Sequence, residues 1–84
     1  METRVAVLAI IVSDNRHTDE LNDLLHEYAD SIIGRMGLPY RQKGLNIITV
    51  VLDAPQDRIN SLAGRIGRLD GVEVKTVTAP AASK

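Results

Sequence analysis

The sequence predicts an α+β domain of order βαββαβ, a four-stranded antiparallel sheet with two helices on one face. Three observations carry that expectation. Val5–Val12 is apolar at every position, and Leu45–Leu52 is mostly apolar at both odd and even positions. A strand sends successive side chains to opposite faces, so these runs belong to strands covered on both sides. Two amphipathic segments of helical period lie between the strand candidates, and glycine- and proline-marked turns separate the elements. In this ferredoxin-like order the first and third strands are central, and they are the two doubly apolar ones. Two short helices cover only one face of such a sheet, so the other face needs a partner, and association is the first function the residues announce.

Each element has its own justification. The first strand spans roughly Arg4 to Ser13, and Ser13-Asp14-Asn15-Arg16-His17 is the loop after it. Thr18 or Asp19 caps a first helix whose opening turn carries Asp19 and Glu20, the favourable sign for a helix N-terminus. Leu21, Leu24, Leu25, Tyr28 and Ile32 form its apolar stripe, and Gly34 is the expected stop. Pro39 cannot donate to a ladder, which puts the second strand at an edge. Lys43-Gly44 turns the chain into the third strand. Asp53-Ala54-Pro55 opens a second helix with Pro55 in its first turn, and Ile59, Leu62, Ala63 and Ile66 form its buried side. Asp70-Gly71 leads into the last strand, Val72–Val77, and 79–84 reads as a frayed tail of the single 1–84 domain.

Composition excludes several function classes. At 84 residues the chain is one domain, small enough that oligomerisation adds useful stability. A net charge of −1 with interspersed signs argues against a broad grip on nucleic acid or anionic lipid. RNA recognition on an open sheet uses stacking aromatics, and this chain has only Tyr28 and Tyr40. With no cysteine there is no disulfide, thiolate metal site or cysteine catalysis. The N-terminal apolar run is too short to span a bilayer and lacks the flanks of a signal peptide, so the chain reads as soluble and cytoplasmic.

The segments His26-Glu27-Tyr28, Ile32–Gly44 with its Ile-Gly-Arg-Met-Gly-Leu-Pro-Tyr-Arg run, Val51–Pro55 and Gly71–Thr76 resemble the iron-only hydrogenase system regulator family. Ala63-Gly64-Arg65-Ile66-Gly67 departs mildly from an expected Ser-Gly-Lys-Leu-Gly, keeping the glycines and the cation. The resemblance implies a stand-alone ACT-like domain, similar in fold to the effector domain of the nickel-responsive regulator, and a link to the assembly or control of iron-only hydrogenases. It supplies no catalytic residue. The nickel site of that regulator does not transfer, because it needs several histidines and a cysteine, and this chain has two histidines and none of the latter.

Four groups of residues are candidates for a site, each with a plainer explanation beside it. Asp14-Asn15-Arg16 precedes a helix start, where N–H groups and Arg16 suit a carboxylate; resemblance to ACT domains makes this loop one wall of a pocket between subunits. ACT domains that bind amino acids carry a glycine there, this loop has none, and a solvated polar turn accounts for the same residues. Gly64, with Gly67 on the flank of the second helix, either lets a subunit or ligand approach closely or is simply tolerated near a helix end. Arg35, Arg41 and Lys43 make either a small anion site or an edge strand defended by charge. His26 shares the outer side of the first helix with Asn22 and Asp30; a pair with Asp30 explains it better than a metal, for which two ligands are too few. His17, beside the helix start, is expected to be solvated.

These observations point to a non-enzymatic regulatory or sensing module, a homodimer or dimer of dimers, with no cofactor and no metal. Its expected effector is a small anion bound between subunits, and a hydrogenase-system protein is its implied partner. Two alternatives stand beside it: an assembly factor for hydrogenase maturation that uses no small ligand, and an acylphosphatase-like enzyme in which Arg16 serves the loop after the first strand.

Overall fold

The computed structural model describes residues 2–80. Strand β1 (Arg4–Val12) leads through a 3-10 turn (Asn15–His17) into helix α1 (Thr18–Glu27), and a second 3-10 turn (Ala29–Ser31) leads into β2 (Ile32–Tyr40). A third such turn (Arg41–Lys43) closes the hairpin to β3 (Leu45–Ala54), followed by α2 (Gln56–Gly67) and β4 (Val72–Thr78). The sheet order is β2-β3-β1-β4 and every pairing is antiparallel. The expected fold class is therefore present, with the two doubly apolar strands in the centre.

Burial along β1 alternates as the pleat requires. Ala6, Leu8, Ile10 and Val12 are buried beneath the helices with Val50, Leu52 and Ala54 of β3. Leu21, Leu25 and Tyr28 of the α1 segment and Ile59, Leu62 and Ile66 of α2 complete that core. Each buried Val, Leu or Ile side chain among them contributes about 1.5–3 kcal/mol by leaving water.

The end of α1 differs from the expected one. The helix stops at Glu27, Tyr28 is its C-cap, and Gly34 lies inside β2. Ile32 continues the helical spacing from Tyr28, yet it pairs with Leu52 in the sheet. Ile32 and Ile33 are β-branched, and such side chains pack better on a pleated surface than on a helix. The register shifts between Ile32 and Gly34, leaving Ile33 as an extra, exposed residue. Pro55 is the N-cap of α2 rather than its first helical residue, and its carbonyl accepts from the amides of Arg58 and Ile59.

Two turns use left-handed glycines. Gly44 (φ +64°) closes the hairpin with open space around it. Gly71 (φ +77°) lies against the β1 exit, where the Ser13 amide donates to its carbonyl at 2.8 Å. A Cβ on Gly71 would lie 2.4 Å from Asp14 Cβ. Ala79 still donates to Val5 at 2.9 Å, and the rest of the expected tail from residue 81 onward lies outside the described residues.

Candidate functional site

The face of the sheet opposite the helices is the largest feature the fold leaves without a covering element. Antiparallel partners point the same way, so the register defines that face. From β1 it takes Val5, Val7, Ala9 and Ile11; from β3, Leu45, Ile47, Thr49 and Val51; from β2, Met36, Leu38 and Tyr40; from β4, Val77. Met36 is 67% exposed, Val77 68% and Leu38 56%. Val7 lies between Val51 and Val77 at the centre of the belt. Among the described strand residues, charge on this face is confined to Asp53, which pairs with Val5, and to Glu73 and Lys75 on β4. Strands about 4.8 Å apart and residues about 3.3 Å apart give four strands of seven residues a face of roughly 19 by 23 Å. Isolated exposed apolar residues are ordinary, but a contiguous belt across four strands marks an interaction surface.

The loop after β1 holds its own cation. Asp14 Oδ1 accepts from the Arg16 amide at 3.0 Å, and Oδ2 accepts from Arg16 Nε at 3.1 Å and Nη2 at 2.8 Å. The hydrogen bonds and charge of Arg16 hold the Asp14 carboxyl below the usual range. An incoming anion at Arg16 would share the guanidinium with that carboxylate. Asn15 Oδ1 accepts from Asn46 at 3.4 Å. Gly64 is on the exposed side of α2 with nothing near its missing Cβ. Neither Arg16 nor Gly64 lines any of the three clefts described below.

Arg35, Arg41 and Lys43 do not converge. Arg35 pairs with Val50 and so faces the helix side, whereas Arg41 and Lys43 sit in the turn at the hairpin tip. Six residues of strand separate Arg35 from Arg41 by roughly 20 Å. His26 forms no pair with Asp30, whose carboxylate accepts from Arg58 at 2.8 Å. His17 is half-buried and hydrogen-bonds with Glu20 rather than standing free in solvent. Among the described residues no three or more His, Asp or Glu side chains converge on a metal-sized space.

One polar network was not readable from spacing. Tyr28 is buried, with Arg58 over its ring at 4.6 Å and Arg65 at 5.7 Å. Its hydroxyl shares a hydrogen bond with Ser61 at 2.9 Å and accepts from Arg65 at 3.1 Å. Arg65 also forks onto Glu27 at 2.8 and 3.2 Å, and Arg58 donates to Ser31 at 3.0 Å. These bonds tie α1 and the turn after it to α2. The Arg65 hydrogen bond lowers the Glu27 carboxyl. A carboxyl lowered in the folded state stabilises the fold above its unfolded pKa, about 4.3 for glutamate, and that contribution fades as pH falls through the lowered value. Arg65→Gln should therefore flatten the acid limb of a Tm-against-pH profile. An unchanged limb would show that the pair contributes nothing in solution.

Three clefts lie on the helix side. One runs between α1 and α2 and carries Glu20, Asp23, Glu27, Arg65 and Arg68. A second, of about 300 Å³, lies between the start of α1 and the underside of the β2–β3 hairpin. The third is lined by Asn22, Asp23, His26 and Arg35 among others. No helix of the described residues is long and apolar enough to cross a membrane.

Comparison with known proteins gives a family and a fold. Residues 4–76 match the TM1266-like family, described as "Iron-only hydrogenase system regulator, putative". The solved structure of TM1266, an uncharacterized protein from Thermotoga maritima, is 37% identical with a TM-score of 0.88, over 92% of this chain and 98% of that one. A formyltetrahydrofolate deformylase from Pseudomonas putida KT2440 is 21% identical with a TM-score of 0.63, over 90% of this chain and 29% of that one. The second likeness is one of fold alone. No curated protein matches the chain.

Proposed function

Because the chain belongs to the TM1266-like family of iron-only hydrogenase system regulators, we propose that it works as a non-enzymatic regulatory module whose active form is an assembly of two or more copies joined through the open sheet face. The observation that carries this reading is the apolar belt centred on half-buried Val7 and Val51, whose Val77, Met36 and Leu38 one chain leaves exposed. A second copy related by a two-fold axis meets it with the same belt, as isologous interfaces require. The projected face, on the order of 400 Å², is of the scale of a small interface once its corrugated side chains are counted.

Catalysis has less support. Arg16, the side chain an acylphosphatase-like reaction would use, is already paired with Asp14, whose Oδ2 accepts from both Nε and Nη2. Regulation by such a module needs only differential binding: a partner or effector that favours one assembly shifts the population toward it. In a host that makes an iron-only hydrogenase under control of a member of this family, deleting the chain should change the level or activity of that enzyme. Restoring the unaltered chain should reverse the change. Hydrogenase output that is indifferent to the chain would count against a regulatory role.

A further inference from the structure

The second cleft differs from its neighbours in charge. Among the described residues that line it, Arg35 is the one charged side chain, and its walls include Val12, Leu21 and Ile48. The cleft between the helices holds three carboxylates, and the third cleft, which Arg35 borders from its other side, holds Asp23. Arg35 also differs from the paired arginines near the helices. Arg16, Arg58 and Arg65 each hold a carboxylate, whereas Arg35, like Arg68 at the end of α2, has no carboxylate partner among the described residues and reaches only Asn22 Oδ1, at 3.4 Å. Beside it, Thr18 Oγ1 is buried with no hydrogen-bond partner among the described residues, and Asn46 presents an amide whose bond to Asn15 is long. A buried hydroxyl without a partner is costly, so it gives up nothing in accepting one. The dipole at the start of α1 is offset by Asp19 and Glu20, which leaves Arg35 as the source of positive charge.

We propose that this cleft binds a small carboxylate with an aliphatic tail, its carboxylate on the Arg35 fork and its tail against Val12, Leu21 and Ile48. A guanidinium matches a carboxylate with two parallel bonds, and the buried carbons supply the rest of the affinity. At about 30 Å³ for each water-sized group, the cleft takes roughly ten non-hydrogen atoms. Among the described residues no acidic side chain lines it to receive an ammonium, so it takes an oxo or simple acid in preference to the amino acid of the same shape. Most of the lining (Val12, Leu21, Arg35, Gly37, Asn46 and Ile48) belongs to the helix side, and Leu38 and Ile47 of the opposite face complete it at the hairpin end.

The probe is 3-methyl-2-oxobutanoate, titrated into the ¹⁵N-labelled full chain. Saturable shifts are expected at the amides of Thr18, Gly37 and Asn46, with a Kd on the order of 1 mM or tighter for a ligand of this size. Valine should bind at least about tenfold more weakly, and Arg35→Gln should weaken the oxo acid by about tenfold or more, the loss of one charge-assisted pair. Arg16→Gln should leave it unchanged. Gly37 also lines the cleft and has open space for a side chain, so Gly37→Val provides a second test that removes volume without touching the charge. Shifts that never saturate, equal affinity in Arg35→Gln, or valine binding as tightly as the oxo acid would each overturn the proposal.

Discussion

Replacing Val7 with aspartate should turn the assembled protein into a folded monomer. Val7 is flanked by Val51 on one side and Val77 on the other, at the centre of the uncovered belt. In an isolated chain the new carboxylate points away from the core that Ala6 and Leu8 enter, and it remains hydrated. In an assembly it would be buried without a partner, which costs several kcal/mol, far more than an interface of this size can lose. The expected sign is a lower sedimentation coefficient with the far-ultraviolet spectrum of the sheet retained. Leu8→Asp, one residue away and facing the helices, should instead abolish folding. Equal behaviour of the two variants would mean that the two faces of β1 are not distinct in solution.

The largest effect on the fold from a single small side chain is expected at Gly71. Its φ of +77° is one that L side chains rarely adopt, and a Cβ would press on Asp14 at 2.4 Å with the Asp14 backbone at 3.3 Å. Left-handed backbone costs about 1–2 kcal/mol for a residue with a Cβ. The close approach adds to that, because the neighbour is a Cβ and backbone rather than the free end of a side chain. We expect Gly71→Ala to cost about 2–4 kcal/mol, or a fall of roughly 10–25 °C in Tm for a domain of this size. Gly44→Ala is the matched comparison. Gly44 has φ +64° but open space around it, so only the backbone term applies. Thermal melts in which the two variants fall equally would show that the Asp14 contact does not matter.

Much of the architecture was legible because it rests on local rules. The doubly apolar runs marked the central strands, Pro39 marked an edge, and Gly44 and Gly71 marked turns whose backbone needs them. The end of α1 was misread because Ile32 satisfies a helical spacing and a strand pairing equally well, and only its contact with Leu52 decides between them. The candidate site was less legible. Arg16 reads as a free cation in a loop, although an aspartate two residues earlier is well placed to receive it through a local turn. Arg35 was grouped with Arg41 and Lys43 by sequence distance, but the extended strand carries them apart. The Tyr28 network joins residues 27 or more positions apart in the chain, and no periodicity reports such a contact. Charge in the second cleft emerges only once β2 is folded back over α1.

Sedimentation velocity of the unaltered chain across a range of micromolar concentrations tests directly whether a second copy covers the open sheet face. A second copy on that face predicts a species of at least twice the 9.2 kDa of one chain, reduced to a single chain by Val7→Asp. A stable 9.2 kDa species throughout the range, with the Val7→Asp variant indistinguishable from it, would contradict the account.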